Sequence, residues 1–163
     1  LNTLSEIVYE DAAKADKYIQ KLSRIYRYIL DHEDADFISL DKEIEFVKQY
    51  FELQKIRDQN KIHLETRLPD SNEIKIIPVS LQLLVENALK HNSRSEKAPL
   101  KILINKSEDF IIVTNNIQRR NTMEKTPKKG LMNLKERTRL VLGKDLVIHE
   151  KDNQFIVKVP FLK

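Results

Sequence analysis

At 163 residues, 40% hydrophobic and 33% charged, the chain has the material for one compact domain with a helical appendage and a soluble surface. Zero cysteines exclude disulfides and thiolate metal sites and fit a reducing compartment, while only two glycines exclude a glycine-rich phosphate cradle of the P-loop kind. The net charge of +4 suits a polyanionic ligand without marking a nucleic-acid binder, and the chain has neither a membrane-length apolar run nor a signal-peptide pattern.

Position 1 is Leu and not Met, so the chain is expected to be part of a longer protein. Ala12, Ala15, Ile19, Leu22, Tyr26 and Ile29 recur at spacings of 3, 4, 3, 4 and 3, the seam of a packed helix pair. Tyr18 and Ile25 widen that stripe, as in a four-helix bundle. A single helix packed on its own domain has the same pattern, and periodicity does not separate the two. The acidic stretch Asp31-His32-Glu33-Asp34-Ala35-Asp36 then breaks the helix and divides residues 1–36 from residues 37–163.

Ser39 is placed to cap a second helix, with Asp41 and Glu43 favourable in its first turn. Leu40, Ile44, Val47 and Phe51 repeat at 4, 3 and 4 and should face the core. From Lys61 the period changes to two through Ile62, Leu64 and Thr66, and Leu68-Pro69-Asp70-Ser71-Asn72 reads as a turn. Ile74-Lys75-Ile76-Ile77 is a short strand ended by Pro78. Residues 100–104 and 110–114 form a hairpin around Ser107-Glu108-Asp109, and residues 146–149 and 155–159 form another around Asp152-Asn153. Between the hairpins, residues 118–129 are polar and basic, and residues 131–142 read as a helix with Gly143 near its C-terminus. Helices with about six strands, largely in hairpins, give an α+β fold: a two-layer α/β sandwich whose mixed, largely antiparallel sheet is covered by helices on one face.

Leu83-Leu84-Val85-Glu86-Asn87-Ala88-Leu89-Lys90-His91 is the chemically most telling stretch. As a helix it puts Leu81, Leu84, Val85 and Ala88 on one side and Glu86, Asn87 and Lys90 on the other. An acid, an amide and an ammonium on one face suit a metal-bound phosphate, with oxygens for Mg²⁺ and the ammonium for phosphate charge. Leu83 on the same face points to a covered surface. The solvated outer face of an amphipathic helix is the other reading.

This stretch, preceded by Pro78-Val79-Ser80, resembles the N box of sensor histidine kinases, in the bacterial subfamily whose core reads "P…LVENAxKHG". Further segments agree in order. Leu22-Ser23-Arg24-Ile25-Tyr26-Arg27-Tyr28 resembles "LSxLLRY" and Leu40-Asp41-Lys42-Glu43 through Ile56-Arg57 resembles "LxxElefvxxYlelqkiR". Gly130-Leu131-Met132-Asn133-Leu134-Lys135-Glu136-Arg137 resembles "GLxNxxeR". The resemblance implies the ATPase fold shared by gyrase, heat-shock chaperones, histidine kinases and mismatch-repair ATPases, behind a helical dimerisation segment in residues 1–36. The ATP-binding domain is then residues 37–163.

It also implies ATP and Mg²⁺ as ligands. Asn87 matches the metal-ligating asparagine, Glu86 a base or water-orienting acid, and Lys90 and His91 groups near phosphate or ribose; an ordinary structural histidine is the other reading of His91. Asn115 falls where the family has the adenine-binding Asp of D-x-G, with Ile117 in place of the glycine. An amide oxygen still accepts the adenine hydrogen bond, without the charge. Gly130, followed by Leu131, is the survivor of the family's G-x-G, because Lys128 stands where the first glycine belongs. Both departures point to weaker nucleotide binding. Residues 118–129 match the nucleotide lid. The acceptor motif P-H-F-x-x-N-x-L-N would end at Leu1-Asn2, so the phosphoacceptor is expected upstream, and none of His32, His63, His91 or His149 has its context.

The expected function is the ATP-binding catalytic core of a two-component sensor histidine kinase. It would pass the γ-phosphoryl group to an upstream histidine and thence to a response regulator, as a homodimer on the cytoplasmic side of a bacterial inner membrane. Membrane attachment would come through missing N-terminal segments, and this segment alone would not autophosphorylate. The alternative is a nucleotide-weak pseudokinase acting as a dimerisation and partner-binding module. Nucleic acid is not expected as a partner, because no aromatic residue interleaves with the basic charges of residues 119–129.

Overall fold

The computed structural model describes residues 11–32, 34–68, 73–119 and 129–163. Most of the expected turn at 68–72 and of the expected lid at 118–129 therefore lies outside the described residues, as does Leu1-Asn2. Helix α1 (Ala12–Asp31) begins at Asp11, whose side chain accepts from the Ala13 and Lys14 amides. Its apolar stripe splits in two. Ile25 is buried, and Tyr18, Leu22 and Ile29 are half-buried, in a cluster with Phe46 and Leu53 of the second helix. Ile19 and Tyr26 remain 45% and 61% exposed. The expected single seam thus becomes an inward stripe that packs on the chain itself and an outward stripe left open.

Helix α2 (Leu40–Asp58) starts at Ser39, whose hydroxyl accepts from the Lys42 amide. Leu40, Ile44, Val47 and Phe51 enter the main core, as their spacing requires. Phe46 and Leu53, on the other side, are buried by α1, and the Phe46 ring stacks on Tyr28 with centroids 3.9 Å apart. Helix α2 is therefore buried on two faces.

Strands β2 (Ile62–Arg67), β4 (Leu100–Lys106), β5 (Phe110–Asn116), β7 (Gln154–Pro160) and β6 (Val147–Lys151) form the sheet in the spatial order β2-β4-β5-β7-β6. Only β2 and β4 pair in parallel. Their connection carries helix α3 (Ser80–His91), and the step from β5 to β7 carries helix α4 (Lys129–Leu142) and β6. Alternate residues of the sheet, among them Ile102, Ile104, Ile111, Val113, Val157 and Val159, join residues of α2, α3 and α4 in one core. The expected hairpins are both present. At the second, Asp152 and Asn153 have φ of 51° and 57°, the two left-handed residues that a tight two-residue turn requires.

One detail departs from the single expected sheet. Strand β3 (Lys75–Ile76) pairs antiparallel with β1 (Ile38–Ser39) in a separate two-stranded ladder. Two residues per strand are too few to show a period. The ladder buries Ile38, Ile74 and Ile76 and delivers the chain to Pro78-Val79 at the start of α3.

Helices α2 and α3 are pinned together at like ends. At the N-terminal ends, the fully buried carboxylate of Glu43 accepts from the amides of Val79 and Leu81 at 2.9 Å and of Gln82 at 3.4 Å. These are the amides that a helix start leaves without partners, and a carboxylate there also meets the positive end of the helix dipole. At the other ends, Arg94 donates to Leu89 O at 2.7 Å and to Asp58 Oδ2 at 2.6 Å. Burial raises the Asp58 carboxyl pKa, but the hydrogen bonds from Arg94 and Arg57 outweigh it and hold the group below its ordinary value. Asp58→Ala should cost roughly 3–5 kcal/mol in urea unfolding, because it strands a buried guanidinium, and adding Arg94→Leu should recover part of the loss. An unchanged midpoint in the single variant would show that the pair does not hold the helices.

Burial pushes the Glu43 carboxyl up to about 7, against the pull of the three amides and of Tyr28. The folded state then binds a proton that the unfolded chain releases, so this stability is full below the ordinary value of 4.5 and is lost as pH rises through about 7. Between pH 5 and 8 urea stability should fall by up to about 3 kcal/mol, and Glu43→Gln should flatten that dependence. A profile that is the same in both proteins would assign the dependence elsewhere.

Candidate functional site

Helix α3 sets the site. Leu81, Leu84, Val85 and Ala88 are all buried in the core, so the opposite side faces outward. Asn87 is half-buried there, with Lys90 and His91 exposed three and four residues on, along one face of the helix. The same row contains Leu83, which packs partly against the core and lies beneath the first turn of α4. A Cβ at Gly130 would stand 3.4 Å from Leu83 Cδ1, so glycine suits this close approach. Leu83 therefore marks a covered face, as the sequence pattern required.

Glu86 lies at the α2 edge of that outward face. Its carboxylate accepts from Gln82 Nε2 at 3.0 Å. It also lies beside Tyr50 of α2, whose hydroxyl pKa is raised first by burial and then by the Glu86 charge. Glu86 thus stays on the outward side, four residues before Lys90, and leans toward α2.

Asn115 lies on the helix-facing side of β5, in phase with Ile111 and Val113, and is only 4% exposed. Its Nδ2 donates to Asn116 O at 2.8 Å, which leaves Oδ1 as the atom for an incoming donor. Asn116 has a structural task, accepting from the Lys101 amide and donating to Pro99 O. Leu131 is buried in the core, so the surface that position offers is backbone. The two ends of the segment between β5 and α4 meet α3 at different points. Asn92 Oδ1 accepts from the Gln118 amide and the Ser93 amide donates to Gln118 O, both at 2.7 Å, while Gly130 sits on Leu83.

Among the described residues, no three His, Cys, Asp or Glu side chains gather to hold a metal ion. A lone amide such as Asn87 fits Mg²⁺ that keeps phosphate oxygens and water as its other ligands. A hollow between α2 and β2 beside Lys55 and His63, and another beside Arg119 and Asp152, are lined by neither Asn87 nor Asn115.

Residues 1–62 match the family model described as histidine kinase. Sensor protein LytS of Enterococcus faecalis is 28% identical over 156 residues, covering 93% of this chain and 24% of that protein. LytS of Staphylococcus epidermidis is 28% identical over 117 residues, 70% of this chain and 20% of its own length. By these matches the chain is similar to bacterial sensor histidine kinases. It spans about a fifth of the length of the curated relatives it matches. The cytoplasmic segment of histidine kinase QseC has the same fold, with a TM-score of 0.54, 18% identity, and coverage of 93% of this chain and 94% of that one. The two-layer sandwich is thus a histidine kinase fold.

Glu43, Tyr28, Asp58, Arg94 and Asn92, which hold the site helix in place, were not among the expected site residues. One signal existed. Glu43 lies between Leu40 and Val47, in phase with the apolar stripe, where a solvated acid does not belong.

Proposed function

We propose that the chain is the nucleotide-binding part of a two-component sensor kinase, with residues 1–36 as its dimerisation segment and residues 37–163 as its ATP-binding domain. The observation that carries this reading is the outward row of Asn87, Lys90 and His91 on a helix whose inner face is locked in the core, with Gly130 packed over Leu83 of that row. Asn87 Oδ1 is the ligand for Mg²⁺, Lys90 meets phosphate charge, and Asn115 Oδ1 accepts from the adenine amino group. Backbone at Gly130 and Leu131 lies close to the phosphates. Glu86 orients water or a proton from the α2 side. ATP, when bound, supplies the γ-phosphoryl group, and these residues hold and orient it. The recipient is a histidine outside this chain and then a response regulator, and the cytoplasmic side of a bacterial membrane is the setting. No helix among the described residues is long and apolar enough to cross a membrane.

A second reading, a pseudokinase that binds nucleotide weakly, is favoured by the amide at Asn115 in place of an acid. Calorimetric titration of the chain with Mg-ATP separates the two, because saturable binding supports the kinase and no heat supports the pseudokinase. If Asn87 ligates the metal, Asn87→Ala should lower Mg²⁺-dependent affinity by about 1.5–3 kcal/mol, the size of a charge-assisted contact. Equal binding by both proteins would remove Asn87 from the site.

The outward stripe of α1 supplies the dimer contact in this reading. Ile19, Tyr26 and Leu30 are 45%, 61% and 68% exposed, and none is needed to bury α2. Ile19→Asp should shift the chain to monomer in sedimentation while its unfolding midpoint stays within about 0.5 kcal/mol, as for surface substitutions. A wild type that sediments as a monomer at high concentration would defeat the dimer contact.

A further inference from the structure

Tyr28, Glu43 and Val79 come from three of the four segments in which the chain resembles sensor kinases, and they meet at one point. Glu43 stands at the first turn of α2 and accepts from the amides at the start of α3. Tyr28, near the end of α1, covers it, with the hydroxyl 3.5 Å from Glu43 Oε2 and the ring stacked on Phe46 and on His32. Val79 is the residue before α3, and it is strained. Its φ is +65°, a left-handed conformation that a β-branched side chain resists, and no side chain of its own caps the helix. Its amide is held by Glu43 Oε2 at 2.9 Å.

The far end of α3 is fixed independently, through Arg94 to Asp58. With that end fixed, α3 can move only by pivoting about it, most of all at its start, where the strained residue and the carboxylate sit. Asn87 lies between the two anchors, nearer the fixed one at Leu89, so a pivot of the helix reorients it.

We propose that Glu43, sealed by Tyr28, is a positioning residue for Asn87, through which displacement of α1 alters the nucleotide site. While α1 is docked, Tyr28 keeps water from the carboxylate, and Glu43 holds Val79 in its left-handed turn. When α1 lifts, Glu43 hydrates, the three amides lose their acceptor, Val79 relaxes, and α3 pivots about its far end, which reorients Asn87. This inference rests on the reading of Asn87 as a nucleotide ligand, and it adds the route by which the helical segment controls that ligand.

The test uses the whole chain with Tyr28→Phe, Glu43→Gln and Glu43→Gln combined with Val79→Gly. Mg-ATP affinity is measured by calorimetry and the Asn87 backbone and side-chain amide resonances by nuclear magnetic resonance, at a temperature where each variant is folded. Tyr28→Phe keeps the ring stack, so it carries the test if Glu43→Gln does not fold. Both single variants should move the Asn87 resonances. At pH 8, where the Glu43 carboxyl is ionised, Glu43→Gln should weaken Mg-ATP binding about tenfold, the size of a lost hydrogen bond to a charged group. Glycine adopts the turn without strain, so adding Val79→Gly should restore most of that affinity while leaving the stability loss in place. That rescue is one a merely structural role for Glu43 would not produce. Wild-type affinity and unmoved Asn87 resonances in Tyr28→Phe and in any folded Glu43→Gln would overturn the proposal. A wild type that does not bind Mg-ATP defeats the nucleotide reading alone. The Asn87 resonances then decide the positioning role, moved for it and unmoved against it.

Discussion

A buried carboxylate at the start of another helix organises this molecule. Glu43 has no exposed surface, and an unpaired charge there would be costly, so the fold around it has to supply donors. It does so with the amides of Val79, Leu81 and Gln82 and the hydroxyl of Tyr28. That requirement fixes where α3 begins, which way it runs relative to α2, and how α1 must lie to close the site. The ion pair of Asp58 with Arg94 repeats the principle at the opposite ends of the same two helices. Two polar anchors thus set the orientation that apolar packing alone leaves free, since leucines and valines interdigitate acceptably in more than one register.

The site inherits its geometry from these anchors. Because α3 is held at both ends and buried along Leu81, Leu84, Val85 and Ala88, the row of Asn87, Lys90 and His91 has one direction in which to point. The approach of Gly130 to Leu83 brings α4 over that row. Asn115 enters from the sheet, on the face that the helices cover. The groups matched to metal, phosphate and adenine therefore come from a helix, a helix start and a strand, each positioned by packing rather than by a loop of its own.

Helix α2 is the mechanical centre. One face contributes Leu40, Ile44, Val47 and Phe51 to the main core, and the other contributes Phe46 and Leu53 to the cluster under α1. A helix buried on two faces transmits displacement instead of absorbing it, because close-packed side chains on either side have little free volume. Arg137 of α4 adds a further tie across the fold, donating to Ala35 O in the link between α1 and α2 at 2.8 Å. The segment between the two helices is thus in contact with the helix that contains Gly130.

Much of this was legible in the sequence, for local reasons. The apolar rows of α2 and α3, the Ser39 cap, both hairpins with the Asp152-Asn153 turn, and the glycine at φ +63° after α4 each follow from residues close together in the chain. The matches to kinase segments followed from the same short stretches. What the sequence did not disclose depends on residues distant in the chain. Nothing local says that Glu43 faces Val79 or that Arg94 faces Asp58, since each pair is separated by 36 positions. Nor could periodicity assign the α1 stripe, because Leu22 and Tyr26 have the same apolar character, and only the position of α2 decides which is covered. The sequence by itself determined which residues are apolar and in what period. The tertiary structure decided which polar groups are left without water, and therefore which of them must meet.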